Sequence, residues 1–196
     1  MKFISFNHDN SEKFGIIENN LITDLTGKID GALSLKELIK IKKIKEAKEY
    51  AKSNQGSIKP DEIKYSPLIP NPGKIICVGL NYSEHVKETN RTVEENPVIF
   101  HRFPESQTAH MQAIQRPTVS ESLDFEGEMA VVMDEGGKHI KPEDALKHIV
   151  GYSCYNESTI REWQRHTRQF GMGKNFEKTG SFGPHMVLAE DIPDYK

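Results

Sequence analysis

The residues best equipped for chemistry lie in the stretch Leu123-Asp124-Phe125-Glu126-Gly127-Glu128-Met129-Ala130-Val131-Val132-Met133. Polar and apolar residues alternate over its first half, which puts Asp124, Glu126 and Glu128 on one face of a strand. The apolar second half predicts a strand buried on both faces. Carboxylates held one pleat apart repel, so something positive must neutralise them or one must stay protonated. No cation stands beside them in sequence, and a hard divalent ion such as Mg2+, Mn2+ or Ca2+ favours oxygen ligands of this kind. The same pattern also arises in a wet edge strand whose charges simply face water.

Other candidates flank this strand. If Tyr82 to Glu88 is helical, His85 and Glu88 share a face, and a carboxylate behind an imidazole makes a base able to take a proton from water. Pro97-Val98-Ile99-Phe100 is a short strand that enters a loop carrying His101, Arg102, His110 and Arg116, cations able to bind an acidic substrate or merely to decorate a loop. Tyr152-Ser153-Cys154-Tyr155 reads as a strand ending at Asn156-Glu157. Ser158 then reads as the N-cap of a helix from Thr159 to Phe170, with Trp163, Thr167 and Phe170 on one face. An acid at a strand end beside a helix start is well placed to hold a ligand. Gly171-Met172-Gly173-Lys174 puts a lysine in a glycine-bounded loop that can close over an anion.

These pieces need a scaffold. Residues 1–66 read as a small α+β module: short strands at Lys2–Phe6, Phe14–Ile17 and Leu21–Leu25, then an amphipathic helix from Leu35 to Ser53. That helix carries Lys36, Lys40, Lys42, Lys43, Lys45, Lys48 and Lys52, but no arginine interleaves with them, and the face reads as solvated rather than as a nucleic-acid surface. Three prolines and a glycine in Ser66-Pro67-Leu68-Ile69-Pro70-Asn71-Pro72-Gly73 mark the boundary with a second unit, residues 67–196, whose first strand, Lys74 to Gly79, is expected to be buried. A helix is expected from Pro142 to Val150.

The 196 residues suffice for one domain with a small appendage, and a net charge of -3 gives no basic field for nucleic acid. No apolar run reaches the length of a membrane span and the first residues hold no signal-peptide core, so a cytoplasmic protein without membrane contact is expected. Cys77 and Cys154, the two cysteines, lie in apolar runs and read as reduced core thiols.

The ordered series Gly79-Leu80-Asn81-Tyr82 with His85, Pro97-Val98-Ile99-Phe100, Leu123 through Glu128, Gly151-Tyr152 through Asn156, Arg161-Glu162-Trp163-Gln164 and Gly173-Lys174 resembles the fumarylacetoacetate hydrolase family. The resemblance runs from about Lys74 to Pro193. It implies a mainly β, α+β fold, a mixed β-roll or β-sandwich behind the N-terminal module. It further implies a metal site of Glu126, Glu128 and Glu157 holding Mg2+, with Mn2+ or Ca2+ as substitutes. His85 with Glu88 would move a proton or activate water, and Gln164 and Lys174, with Arg102 beside them, would hold substrate oxygens. The implied reaction is hydrolysis, decarboxylation or isomerisation of a dicarbonyl or oxo acid of the acylpyruvate or fumarylacetoacetate type, through an enolate.

Three departures stand out. Glu157 replaces the usual Asp, and His101-Arg102 stands where many relatives have Lys. Family members also continue past the point matching Lys196, which implies a C-terminally incomplete domain with open strand edges. Such edges favour a homodimer or association with another chain, and a non-catalytic scaffold is the alternative to an enzyme.

Overall fold

The computed structural model describes residues 1–82 and 96–192 of an α+β chain built mainly of strands. Strands β1 (Lys2–His8), β2 (Ser11–Glu18) and β3 (Leu21–Asp24) form an antiparallel meander, completed by β4 (Lys64–Tyr65) in the order β3-β2-β1-β4. Asp9 and Asn10, then Asn19 and Asn20, take positive φ at consecutive positions. This is the two-residue hairpin geometry that asparagine and aspartate tolerate best. β1 is buried on both faces: Phe3 packs in the main core, while Ile4 and Phe6 turn to a smaller cluster with Ile22.

The expected single helix from Leu35 to Ser53 is two: α1 (Leu35–Lys40) and α2 (Ile44–Ser53). The Ser34 hydroxyl accepts the Glu37 N–H and the Glu37 carboxylate accepts the Leu33 N–H, closing the start of α1. The break falls at Lys42, which adopts φ +59°. The bend lets both halves face the core, α1 through Leu35, Leu38 and Ile39 and α2 through Ala47. Its lysines are drawn into surface ion pairs, Lys42 with Glu135 and Lys48 with Glu190 and Asp191.

In the second part, β5 (Ile75–Gly79) pairs with β6 (Val98–Arg102). β7 (Gln107–Thr108) and β8 (Leu123–Asp124) are short, and β9 (Gly127–Met133) precedes the longest strand, β10 (Ile149–Glu157). β11 (Thr159–Ile160) pairs with β8, and β12 (Gly180–Phe182) and β13 (Val187–Leu188) close the chain. β10 is the spine: β9 runs along one edge, β12 and β13 share the other, and β7 adds to β12 in parallel. Phe3 and Met186 exchange both backbone hydrogen bonds, at 2.9 and 2.8 Å, and so tie β1 to the end of the chain. The boundary expected near residue 66 lies just past β4, and one core crosses it: Phe3, Phe14, Leu35 and Leu38 pack with Val132, Tyr155, Phe182 and Met186.

Several local expectations are corrected. β9 is not buried on both faces, because Met129, Val131 and Met133 point to solvent while Val132 points to the core. β5 is likewise half-open, with Ile76 and Val78 exposed. Cys154 is exposed rather than a core thiol, whereas Cys77 is largely enclosed and burial pushes its thiol up to about 12. Pro142–His148 forms only a loose 3-10 turn, and the helix expected from Thr159 to Phe170 shrinks to Arg161–Gln164. Thr159 pairs instead with Asp124, and the Ser158 hydroxyl turns to the Asn156 side chain, so Ser158 caps nothing.

Candidate active site

The strand of acids divides between β8 and β9, and Glu126 lies in the link between them. The Glu157 N–H donates to the Glu126 carbonyl at 2.8 Å, and the Asn156 side-chain oxygen accepts the Glu126 N–H at 3.2 Å. These bonds fix Glu126 against the end of β10, so its carboxylate meets that of Glu157 from the adjacent strand. Glu128 stands on β9 opposite Tyr155, half-buried on the same side.

The positive charge comes from far away in sequence. Lys174 Nζ donates to Glu126 Oε2 at 2.9 Å and to Glu157 Oε2 at 2.6 Å, with its side chain 1% exposed. Arg102 donates to Glu157 Oε1 at 2.8 Å, and Arg161 reaches Glu126 Oε1 at 2.6 Å and Asp124 at 2.7 Å. The result is a chain of alternating sign, Asp124–Arg161–Glu126–Lys174–Glu157–Arg102, running from the surface into the core. The Thr159 hydroxyl adds a bond to Glu126 at 2.9 Å. Burial works against the charge on Glu126, but Lys174 and Arg161 outweigh it and hold the carboxyl below the ordinary glutamate range. At the deeper Glu157, burial dominates, and the carboxyl lies above that range despite Lys174 and Arg102.

Arg102 is not on a loop. It is the last residue of β6, its side chain is fully enclosed, and it also donates to Thr179, to Ser106 and to the Ser158 carbonyl. Its donors therefore hold the site together. Nor is Lys174 in a flexible loop: it ends the one-turn helix Gly171–Lys174. That turn packs so tightly that a Cβ on Gly173 would sit 2.5 Å from the Gln164 nitrogen and 2.6 Å from the Ile160 oxygen. Gln164 accepts from Arg161 at 3.1 Å, which places it at the rim of the same network. His85 and Glu88, with the helix expected around them, lie outside the described residues.

Sequence reasoning missed Arg161 and Thr159 as partners of the acids. Their places follow from the β8–β11 register, Thr159 opposite Asp124, and short pairings of this kind leave no periodicity to read. Beside Lys174, a cavity of about 710 Å3 opens between Phe100, Phe103, Trp163, Phe170 and Phe176, with His101 and Arg168 at its wall. Phe100 joins the two features, because the Lys174 ammonium lies 5.1 Å from its ring centre.

The donor chemistry suits a hard cation. Glu126 and Glu157 offer carboxylate oxygens that converge on one buried cationic position, and Glu128 stands next along the strand. Among the described residues, no three acid, histidine or cysteine side chains are gathered closely enough to hold a metal as they stand. The pair of acids is therefore preformed, and a metal held there would need a third ligand.

Comparison with known proteins gives this arrangement a lineage. The family model for the fumarylacetoacetate (FAA) hydrolase C-terminal domain matches residues 74–196. Oxaloacetate tautomerase fahd2, mitochondrial, of Xenopus laevis is 37% identical over 150 residues, covering 76% of this chain and 47% of that protein. The Homo sapiens oxaloacetate tautomerase FAHD2A, mitochondrial, is 35% identical over 135 residues, 68% of this chain and 43% of its own length. The chain thus spans about half the length of the curated relatives it matches. The solved fumarylacetoacetate hydrolase (EaFAH) from psychrophilic Exiguobacterium antarcticum superposes with a TM-score of 0.78 at 28% identity, covering 98% of this chain and 68% of its own. Maleylpyruvate hydrolase from Sphingobium sp. SYK-6, solved with manganese (II) ion and pyruvate, shares the fold, with a TM-score of 0.80 at 19% identity over 99% of this chain and 69% of its own. Family match, sequence relatives and fold agree, and the chain belongs to the fumarylacetoacetate hydrolase family.

Proposed function

We propose that this chain carries the acid centre of a divalent-metal-dependent enzyme acting on a small dicarbonyl or oxo acid, by hydrolysis, decarboxylation or keto–enol isomerisation. The observation that carries the reading is the convergence of Glu126, from the β8–β9 link, and Glu157, from the end of β10, on one buried cationic position. The relatives' names support the substrate class, since oxaloacetate and maleylpyruvate are both compact oxo acids.

Glu126 and Glu157, with Glu128, would hold the metal, Mg2+ or Mn2+. When bound, such an ion supplies Lewis-acid polarisation of a carbonyl oxygen. The chain's own groups do the rest. Arg102 and Arg161 hold the outer oxygens of the two acids and fix their orientation. Lys174 adds a positive contact for a substrate carboxylate or developing oxyanion. Gln164 positions Arg161 and offers its amide at the rim. His85 with Glu88 moves the proton between water and the substrate carbon.

Thermal unfolding in EDTA and in millimolar Mg2+ or Mn2+ tests this reading. A metal-dependent rise of the midpoint that Glu126→Ala removes is expected, together with turnover of an oxo acid. An unchanged melting curve in excess metal rules the reading out.

One observation favours a second reading, association. Among the described residues no strand pairs with β9 on the side away from β10, where the Met129 N–H donates to the Tyr82 hydroxyl at 3.4 Å, and Met129, Val131 and Met133 are exposed on one face of the strand. An open edge bearing apolar side chains invites pairing with the same edge of a second copy. Sedimentation over a range of concentrations tests this, and a monomer throughout would reject it.

A further inference from the structure

Lys174 occupies a position that a metal ion would also claim. In each acid the outer oxygen faces an arginine, Arg161 for Glu126 and Arg102 for Glu157, and the inner oxygens of both face the Lys174 ammonium. A hard divalent cation needs oxygens at about 2.0–2.6 Å. The region between those inner oxygens is where Nζ now stands, at 2.9 and 2.6 Å. An ammonium and a divalent cation cannot share it, because at that separation in a poorly solvated site their repulsion is severe.

We infer that Lys174 is a tethered counter-ion that fills the cation position between Glu126 and Glu157 and is exchanged for the divalent ion. This rests on the reading of the acids as a metal centre and adds to it a competition built into the chain. Two features make the exchange physically reasonable. Without any cation between them, two largely buried carboxylates would repel and lose their common geometry, so a resident ammonium keeps the site assembled. The displaced ammonium also has a nearby place to rest, since the Phe100 ring already lies 5.1 Å from Nζ and borders the open aromatic cavity. No proton is gained or lost; one cation replaces another.

A ligand's apparent affinity falls with the fraction of time its position is open. Removing the competitor must therefore strengthen metal binding while weakening the metal-free fold, a combination that a purely structural or purely substrate-binding lysine would not give. The test is calorimetric titration of Mn2+ into the full chain and its Lys174→Met and Lys174→Arg variants, with melting in EDTA alongside. Lys174→Met is expected to bind Mn2+ about tenfold more tightly or better, and to melt lower in EDTA than the wild type. Lys174→Arg, whose planar fork can engage both acids, is expected to bind Mn2+ more weakly. Wild-type binding with an equal or lower affinity in Lys174→Met overturns the inference while leaving the metal centre standing. Failure of every form to bind Mn2+ overturns both. If Lys174→Met does not fold, Lys174→Arg decides: weaker binding supports the exchange, and unchanged or tighter binding overturns it.

Discussion

Arg102 shows how a charge can be structural at the heart of a candidate active site. Its guanidinium is enclosed and its bonds run to Glu157, Ser158, Thr179 and Ser106. Removing one partner of a buried pair leaves the other poorly compensated. Arg102→Met is thus expected to lower the unfolding free energy by about 3 kcal/mol. The double variant with Glu157→Gln should lose less than the sum of the two singles, because they share one interaction. Urea unfolding measures both, and a single variant as stable as the wild type would remove Arg102 from the structural role. A second carboxylate, Asp24, reports on the N-terminal sheet. Burial alone would raise it, but the Lys13 ammonium at 2.8 Å and the Thr26 N–H at 2.9 Å outweigh burial and hold it below the ordinary aspartate range. A folded-state value below the unfolded one gives stability that is present above the unfolded value of about 4 and lost as pH falls through the folded one. Asp24→Asn should therefore lower the melting midpoint at pH 7, and the difference from wild type should vanish in acid. A constant difference at every pH would contradict this.

At the scale of elements, the one-turn helix Gly171–Lys174 is the critical piece, because it aims Lys174 while its backbone touches the strand of Ile160 and the turn of Gln164. Gly173→Ala places a methyl against backbone atoms that cannot rotate away. It is expected to cost about 1–3 kcal/mol, the range for overpacking. Gly136→Ala, with nothing within 4 Å of its added carbon, should stay within about 0.5 kcal/mol. Chemical denaturation of the two variants makes the comparison, and equal effects would show that the close approach is not limiting. The same elements show what the sequence discloses and what it conceals. The strands around Phe3, Ile16 and Ile22 were legible because apolar runs alternate with turn residues such as Asp9-Asn10. The split between α1 and α2 was hidden because apolar spacing continues through Ile39, Ile41 and Ile44 without a glycine or proline at the break. The acids were legible as a group, but Lys174 lies 48 residues from Glu126 and Arg102 lies 55 from Glu157. No local pattern carries pairings that long, and only the ordered motifs of the family placed Lys174 near the acids at all.

For the whole molecule, the proposed association along the outer edge of β9 would govern behaviour in solution. Val131 stands mid-strand on that edge, exposed, and a lysine there is a common natural guard against edge pairing. Val131→Lys is expected to shift the chain toward monomer at concentrations where the wild type associates, without lowering the unfolding free energy by more than about 0.5 kcal/mol. Light scattering or sedimentation decides, and an unchanged association would move the contact elsewhere. The exchange of backbone bonds between Phe3 and Met186 has a consequence in time. A ribosome releases β1 long before residue 186 exists, so until then that edge is paired only where β4 lies against Phe6 and Asn7, and its Phe3 end waits. Closing the contact joins the two ends of the described chain, and such distant pairings slow folding more than they weaken the finished fold. The Phe3 end of β1 is therefore sealed late, long after the β4 end.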